Sequence, residues 1–442
     1  MPLPRRWLQP LYSRVITSPV TRRLWRAGHD WLSRATRQAP VLTLWAGFDD
    51  PESFLLVQSL PPLLEHYALS LEVNLTPPRA PVTGLDIQNA WHLAQQHQLS
   101  FHALTPPHPA DCRLAERILM ASAGMPPADR LCLLRQLFVC VWEHQAGKLE
   151  TLALRFPPVS HDEALQTLQT WSEANSHDTE SRTKARLVYQ GESFIGLDDL
   201  PELAERLEES SPNLPNANPE LTTGFSPGSG FLVNDPEMLA GIRSHRYCLD
   251  FYFCFRDPYS YLNLDDVIAL SDHYGLRLRL LPVTLPDGGA SSPALLPPAG
   301  LLWRSARRAA RRRQPFGEVC MPDPSGIRHC HALLAYAAGH GRERQMTRSL
   351  LQGIWAGGRD LTCKPHRASV LRQSGFSTTE PEAIPSADAT LHKAHEALIR
   401  LGLACVPALV LHAGSTLALC GSDRLGALDM AVADTLDNKN TE

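Results

Sequence analysis

The sequence predicts an α/β protein made of two tandem copies of one unit, each copy carrying a helical insertion. Three observations predict it. Residues 42–73 (LTLWAGFDDPESFLLVQSLPPLLEHYALSLEV) align without a gap with residues 249–280 (LDFYFCFRDPYSYLNLDDVIALSDHYGLRLRL). Residues 186–207 and 407–428 close the two copies in the same way, with a strand, a glycine turn, a second strand and a helix. Between these ends lie two long helix-forming stretches, roughly 86–175 and 300–395, with Trp142 and Trp355 at corresponding places. Self-similarity of this kind sets the architecture before any single element is read.

In chain order, residues 1–38 form a basic helical segment. Arg5, Arg6, Arg14, Arg22, Arg23 and Arg26 precede the first acid, Asp30, and are interleaved with Trp7, Leu8, Leu11, Val15, Ile16, Leu24 and Trp25. The arginines interrupt any signal-peptide core, and no apolar run reaches the ~20 residues that span a bilayer. A helix packed on the first domain with its arginines in solvent is the simplest reading; contact with anionic lipid is the alternative. Residues 39–209 form the first domain. An apolar strand runs into Asp50-Pro51, where proline suits the first helical position; a helix with Leu55, Leu60, Leu63 and Leu64 follows, then a strand with Leu69, Leu71 and Val73. Such a β-α-β unit takes a right-handed crossover. The domain closes through Gly191 and Gly196-Leu197-Asp198-Asp199-Leu200, where Asp198 suits a helix N-terminus. Residues 210–245, rich in Ser, Pro, Asn and Gly, read as a linker. Residues 246–438 repeat the plan, with Leu262, Val267, Ile268 and Leu270 on the helix, then Leu276, Leu278 and Leu280, and at the end Gly414 and Gly421-Ser422-Asp423-Arg424-Leu425.

A net charge of −4 gives no global reason to expect nucleic acid or an anionic membrane as a partner. The ten cysteines include no CxxC, and Cys405 and Cys420 are well separated, so neither a disulfide framework nor zinc spacing is present and a reducing, cytoplasmic setting is the simplest reading. In His329-Cys330-His331, consecutive helical side chains diverge by about 100° and cannot close on one ion; no metal is expected. Arg304, Arg308, Arg311 and Arg312 share one helix face. A solvated face is the ordinary reading of such a run, with an anionic substrate or a phosphate as alternatives.

The second copy resembles a known family. DFYFCFRDPYSYLNL, the proline-rich stretch PALLPPAGLLWRSARRAARRRQPFGEVCMPDP, Ala404-Cys405-Val406-Pro407 and Gly421-Ser422-Asp423-Arg424 resemble the 2-hydroxychromene-2-carboxylate isomerases and kappa-class glutathione transferases of the DsbA-like thioredoxin superfamily, over about residues 245–435. The resemblance implies two tandem DsbA-type thioredoxin domains, the first more divergent and without a proline before Arg186-Leu187, which suggests that it acts as the partner in an internal pseudo-dimer. It also implies a cis-proline at Pro407 and an enzyme, a glutathione-linked isomerase or transferase whose substrate is a small molecule such as an aromatic carboxylate. Glutathione is the implied cofactor, its cysteinyl unit pairing with the backbone at Val406-Pro407 and its γ-glutamyl end meeting Ser422 and Asp423.

The chemistry centres on the turn after the first strand, where a helix N-terminus stabilises an anion. Asp257-Pro258-Tyr259-Ser260 stands there, and Asp50-Pro51-Glu52-Ser53 in the first copy, so CxxC exchange is excluded at these positions. Asp257, Tyr259 and Ser260 are the candidate catalytic residues. Asp257 has three open roles: a general base, the wall of a site for a cation or neutral ligand, or a helix cap worth about 1 kcal/mol. A catalytically silent binding or scaffold protein, and a thiol oxidoreductase using Cys254 or Cys405, are the alternatives to the isomerase or transferase.

Overall fold

The structure is a computed structural model that describes residues 6–36, 41–76, 81–174, 185–210, 230–284, 296–377, 388–403 and 405–437. Ala404, most of the 210–245 segment and the start of the proline-rich stretch lie outside these. Two compact units are present, one of Met1–Arg23 with Phe225–Glu442, the other of Leu24–Gly224. A short 3-10 turn (Arg6–Leu8), α1 (Gln9–Thr17) and α2 (Pro19–Thr36) open the chain.

In the N-terminal domain, β1 (Val41–Ala46), α3 (Pro51–Tyr67) and β2 (Ser70–Leu75) form the β-α-β unit. Five helices follow: α4 (Gly84–Gln96), α5 (Pro109–Ala121), α6 (Pro127–Trp142), α7 (Ala146–Arg155) and α8 (His161–Ala174). The domain ends with β3 (Arg186–Tyr189), β4 (Glu192–Ile195) and α9 (Leu200–Ser210). The sheet order is β2-β1-β3-β4. β1 runs parallel to β2 and antiparallel to β3. The strands read as near-continuous apolar runs because helices cover the sheet; Leu42, Leu44, Val73 and Leu187 lie in one core with Leu55, Leu60 and Trp142.

The C-terminal domain repeats this order. After α10 (Pro236–Ser244) come β5 (Cys248–Phe253), α11 (Pro258–Tyr274) and β6 (Arg277–Pro282). Five helices follow: α12 (Ala299–Arg311), α13 (Pro324–Ala338), α14 (Glu343–Trp355), α15 (Lys364–Gln373) and α16 (Asp388–Arg400). β7 (Ala408–Ala413), β8 (Ser415–Cys420) and α17 (Leu425–Asp437) end the domain. Its sheet order, β6-β5-β7-β8, is that of the first sheet. Part of the segment read as a linker is built into this domain. Val233 and Ile242 join its core; the Asp429 carboxylate accepts the Leu232 N–H at 3.1 Å, and the Val233 carbonyl is 2.7 Å from His273 Nε2.

The N-terminal segment departs from its sequence reading. α1 belongs to the unit of the C-terminal domain and docks by a polar face: buried Gln9 and Ser13 accept the backbone N–H groups of Met321 and Val319 at 3.0 and 2.9 Å. Trp7, Leu11 and Val15 are exposed instead. Three of the arginines find acids. Arg6 pairs with Asp323, Arg14 with Glu318, and buried Arg26 with Glu192 and Glu209 in the N-terminal domain. No helix among the described residues is long and apolar enough to cross a membrane.

Candidate functional site

In both domains the Asp-Pro-x-Ser turn is a closed hydrogen-bonded module. The Asp257 carboxylate caps α11, accepting the Ser260 N–H at 2.6 Å and the Ser260 hydroxyl at 2.7 Å, while Ser260 Oγ accepts the Cys254 N–H at 3.1 Å. The first domain reproduces it: Asp50 Oδ2 accepts from Ser53 N at 3.1 Å and Ser53 Oγ at 2.6 Å, and Ser53 Oγ accepts the Gly47 N–H at 3.1 Å. Both serines are fully buried. Serine and aspartate here tie strand end to helix start, which accounts for both residue types at that spacing without any reaction. Trp355, buried, reinforces the turn from below by donating its indole N–H to the Phe255 carbonyl at 3.2 Å.

Strand pairing brings the other predicted positions to this turn. Tyr252 pairs with Ala408, so Pro407 lies in register beside Phe253, at the end of β5. The Val406-Pro407 peptide is cis. The Gly421 N–H donates to the Pro407 carbonyl at 3.0 Å, which holds the Gly421-Ser422-Asp423 turn against that loop. Gly421 has φ +131°, a backbone conformation that favours glycine.

On Ser422 two further side chains converge. Asn263 of α11 donates to its carbonyl at 2.7 Å, and Arg308 of α12 to its hydroxyl at 2.5 Å. The Arg308 guanidinium lies 4.9 Å above the Tyr259 ring, a cation–π distance. Arg312 donates to Asn263 Oδ1 at 2.7 Å and pairs with Asp266 at 3.4 Å. Burial pushes the Asp266 carboxyl up to about 6; the Arg312 charge opposes the shift, and Asp265 and Asp423 add to it. The structure thus gathers Tyr259, Ser422 and Asp423 into one polar cluster, and leaves Asp257 and Ser260 occupied in the cap beneath it.

The solvated reading of α12 is corrected in part: Arg311 is exposed, but Arg304 and Arg308 are buried and Arg312 is half-buried. Arg308 and Arg312 meet the hydroxyl, aromatic and acidic groups of this cluster. Arg308 and Arg312 were read only as part of a basic helix face, and Asn263 was missed by sequence reasoning. A signal for Asn263 existed: it interrupts the apolar face of its helix where the first copy has Leu56. The cysteine reading is corrected as well. Cys405 and Cys420, 15 positions apart in sequence, are joined in a disulfide with their Cα atoms 6.1 Å apart, because the β7–β8 hairpin folds the chain between them back on itself. Cys254 is half-buried and outside the disulfide; Cys330 is buried, and burial raises its thiol pKa. Among the described residues no three His, Cys, Asp or Glu side chains cluster as metal ligands would.

With the geometry in place, comparison with known proteins settles the kind of domain. The family model of the DSBA-like thioredoxin domain matches residues 248–433. The C-terminal half is a DSBA-like thioredoxin domain. No curated protein matches the chain. Among solved structures, the chain is similar to a 2-hydroxychromene-2-carboxylate isomerase at 20% identity, covering 44% of this chain and 99% of that one with a TM-score of 0.34. A probable DsbA oxidoreductase from Streptomyces coelicolor matches at 14% identity, over 43% of this chain and 90% of that one, TM-score 0.37. The cytosolic disulfide reductase DsbM from Pseudomonas aeruginosa, whose structure is also solved with GSH, matches at 19% identity, over 44% of this chain and 100% of that one, TM-scores 0.33 and 0.32. The N-terminal domain has the same sheet order as the DSBA-like domain, with the same turn chemistry and, in its closing hairpin, a Gly196 N–H to Ala185 carbonyl bond of 2.7 Å where the DSBA-like domain has Gly421 to Pro407.

Proposed function

We propose that the DSBA-like domain binds a small thiol of the glutathione class and serves an isomerase or transferase reaction on a small molecule, not CxxC exchange. The observation that carries this reading is the convergence of Arg308 and Asn263 on Ser422 with Tyr259 under the guanidinium. Glutathione has two carboxylates and one ammonium group. Arg308 suits a carboxylate, since guanidinium groups pair with carboxylates in a planar fork, and Asp423, with Asp266 behind it, suits the ammonium group. The loop at Val406-Pro407 offers backbone beside the helix start, where a bound thiolate gains from the helix N-terminus. When bound, the thiol supplies the nucleophile that the turn lacks. In this reading Asp257 and Ser260 are positioning residues that fix the start of α11, and Tyr259 faces the ligand.

Calorimetric titration of the whole chain with glutathione and with S-methylglutathione tests the proposal. Binding is expected, weakened at least tenfold in Arg308→Ala and in Asp423→Ala and retained in Asp257→Asn. Absence of binding by either ligand to the folded wild-type chain overturns it and favours a silent scaffold.

A further inference from the structure

The two cysteines that close the β7–β8 hairpin stand at both lips of this cluster. Cys405 directly precedes Val406-Pro407, and Cys420, the last residue of β8, directly precedes Gly421-Ser422-Asp423. Cys420 pairs across the hairpin with Ala408, and the Gly421–Pro407 hydrogen bond is the next link outward. Their Cα separation of 6.1 Å lies inside the range a disulfide requires.

The crosslink adds little that the hairpin lacks. Six residue pairs, from Ala408↔Cys420 to Ala413↔Ser415, already hold the two strands together. The first domain builds the corresponding hairpin with Ile195 at the pairing position of Cys420, and its Gly196–Ala185 bond forms there all the same. A bond that the hairpin does not need, between two half-exposed cysteines beside a polar cluster, fits exchange chemistry better than fastening. Buried cysteines elsewhere do not compete: burial pushes the thiols of Cys112 and Cys320 up to about 12.

We propose that Cys405 and Cys420 form a redox-active pair that exchanges with a small thiol of the glutathione class, a second chemistry at the mouth of the same site and independent of the helix start. The choice of thiol rests on the reading given under Proposed function; the redox activity does not. In the reductive direction one thiolate RS⁻ attacks one sulfur of the pair. The RS–SCys bond forms, the Cys–Cys bond breaks, and the other cysteine leaves as thiolate. A second RS⁻ then attacks the RS sulfur of the mixed disulfide and releases RSSR and the remaining cysteine thiolate. The two protons lost by the two RSH molecules end on the two cysteines, and the two electrons that reduce the pair come from joining two thiols into RSSR. Reduction removes the covalent link between the Val406-Pro407 loop and the Ser422 turn and leaves the Gly421–Pro407 hydrogen bond in place.

The test equilibrates the folded, full-length chain in a series of glutathione and glutathione-disulfide buffers, quenches it with acid, alkylates it and maps each cysteine by mass spectrometry, with exposed Cys132 and Cys363 as references. Cys405 and Cys420 are expected to interconvert together as one two-electron couple. Cys420→Ser and Cys405→Ser are each expected to trap the remaining cysteine as a near-stoichiometric mixed disulfide. Independent alkylation of the two cysteines across the whole series overturns the proposal. So does a bond that resists excess dithiothreitol until the chain is unfolded, which marks a fastening crosslink. A chain whose pair opens with dithiothreitol but which binds no S-methylglutathione supports the redox pair and overturns only the choice of thiol.

Discussion

The same turn is acidic in one domain and without net charge in the other. Asp49, Asp50 and Glu52 surround the start of α3, while Arg256, Asp257 and Tyr259 occupy the matching positions before α11. Around the first turn the acids accumulate: Glu116 of α5 is buried at 8% exposure, and burial, with the Asp49 charge adding to it, pushes its carboxyl up to about 7. Around the second stand Arg308 and Arg312. Glu52 Oε2 also comes within 3.1 Å of where a Cβ on Gly196 would lie, so a carboxylate stands against the glycine turn that, in the DSBA-like domain, is followed by the Ser422 that Arg308 holds. One scaffold therefore gathers acids around one turn and arginines, with Asp266 among them, around the other, and the cap that both share sets neither. A cavity of about 640 Å³ in the first domain lies between α3, α6 and α7, with Phe54, Val57, Val139 and Leu152 on its walls.

The contrast can be broken or sharpened by experiment. The largest expected effect is on pH dependence. Glu116 has a folded pKa of about 7, above its ordinary 4.5, and Asp266 one of about 6, above 3.8. A raised acid binds its proton more tightly in the folded chain, so its contribution falls as pH rises from the unfolded to the folded value. The window is about 4.5–7 for Glu116 and 3.8–6 for Asp266. Glu116→Gln and Asp266→Asn should each stabilise their domain by about 2 kcal/mol at pH 8 and flatten that slope. Denaturant unfolding at pH 5 and pH 8 measures this, and destabilisation at pH 8 would break the account.

A smaller effect concerns the caps. Asp50→Ala and Asp257→Ala should cost about 1 kcal/mol each, and nearly equally, because the modules match bond for bond. A clear inequality in thermal unfolding would show that the two aspartates do different work. The smallest effect lies at the far ends of the same helices. Ala68 and Gly275 both take the left-handed conformation, at φ 49° and 68°. Ala68→Gly should stabilise the first domain by ~0.5 kcal/mol. Gly275→Ala should destabilise the second by more, since the added Cβ falls 2.6 Å from Arg243 Cγ. Melting temperatures of the two variants should move in opposite directions.

Much of this was legible in the residues themselves. The repeat announced two sheets of one order, since each apolar run and its Asp-Pro turn are local signals. The burial of α12 was not legible: helical spacing aligns its arginines, but only the tertiary fold supplies Ser422, Tyr259 and Asp266 to receive them. The cysteine bond was not read although the strand, glycine turn and strand of 407–428 were, because spacing alone does not say which residues stand opposite each other across a hairpin. The N-terminal segment was read as packing on the first domain, whereas α1 meets the C-terminal domain through Gln9, Ser13 and Ile16.

That last arrangement has a practical side. Ser13 and Gln9 act as plugs for two amides, those of Val319 and Met321, in a stretch whose residues are at most 3% exposed. A chain shortened past Thr17 would leave both donors without these acceptors and open an adjoining stretch of main chain to water. Trimming the protein for crystallisation or expression should therefore start no later than the first arginines, even though most of what those residues show on the outside looks dispensable.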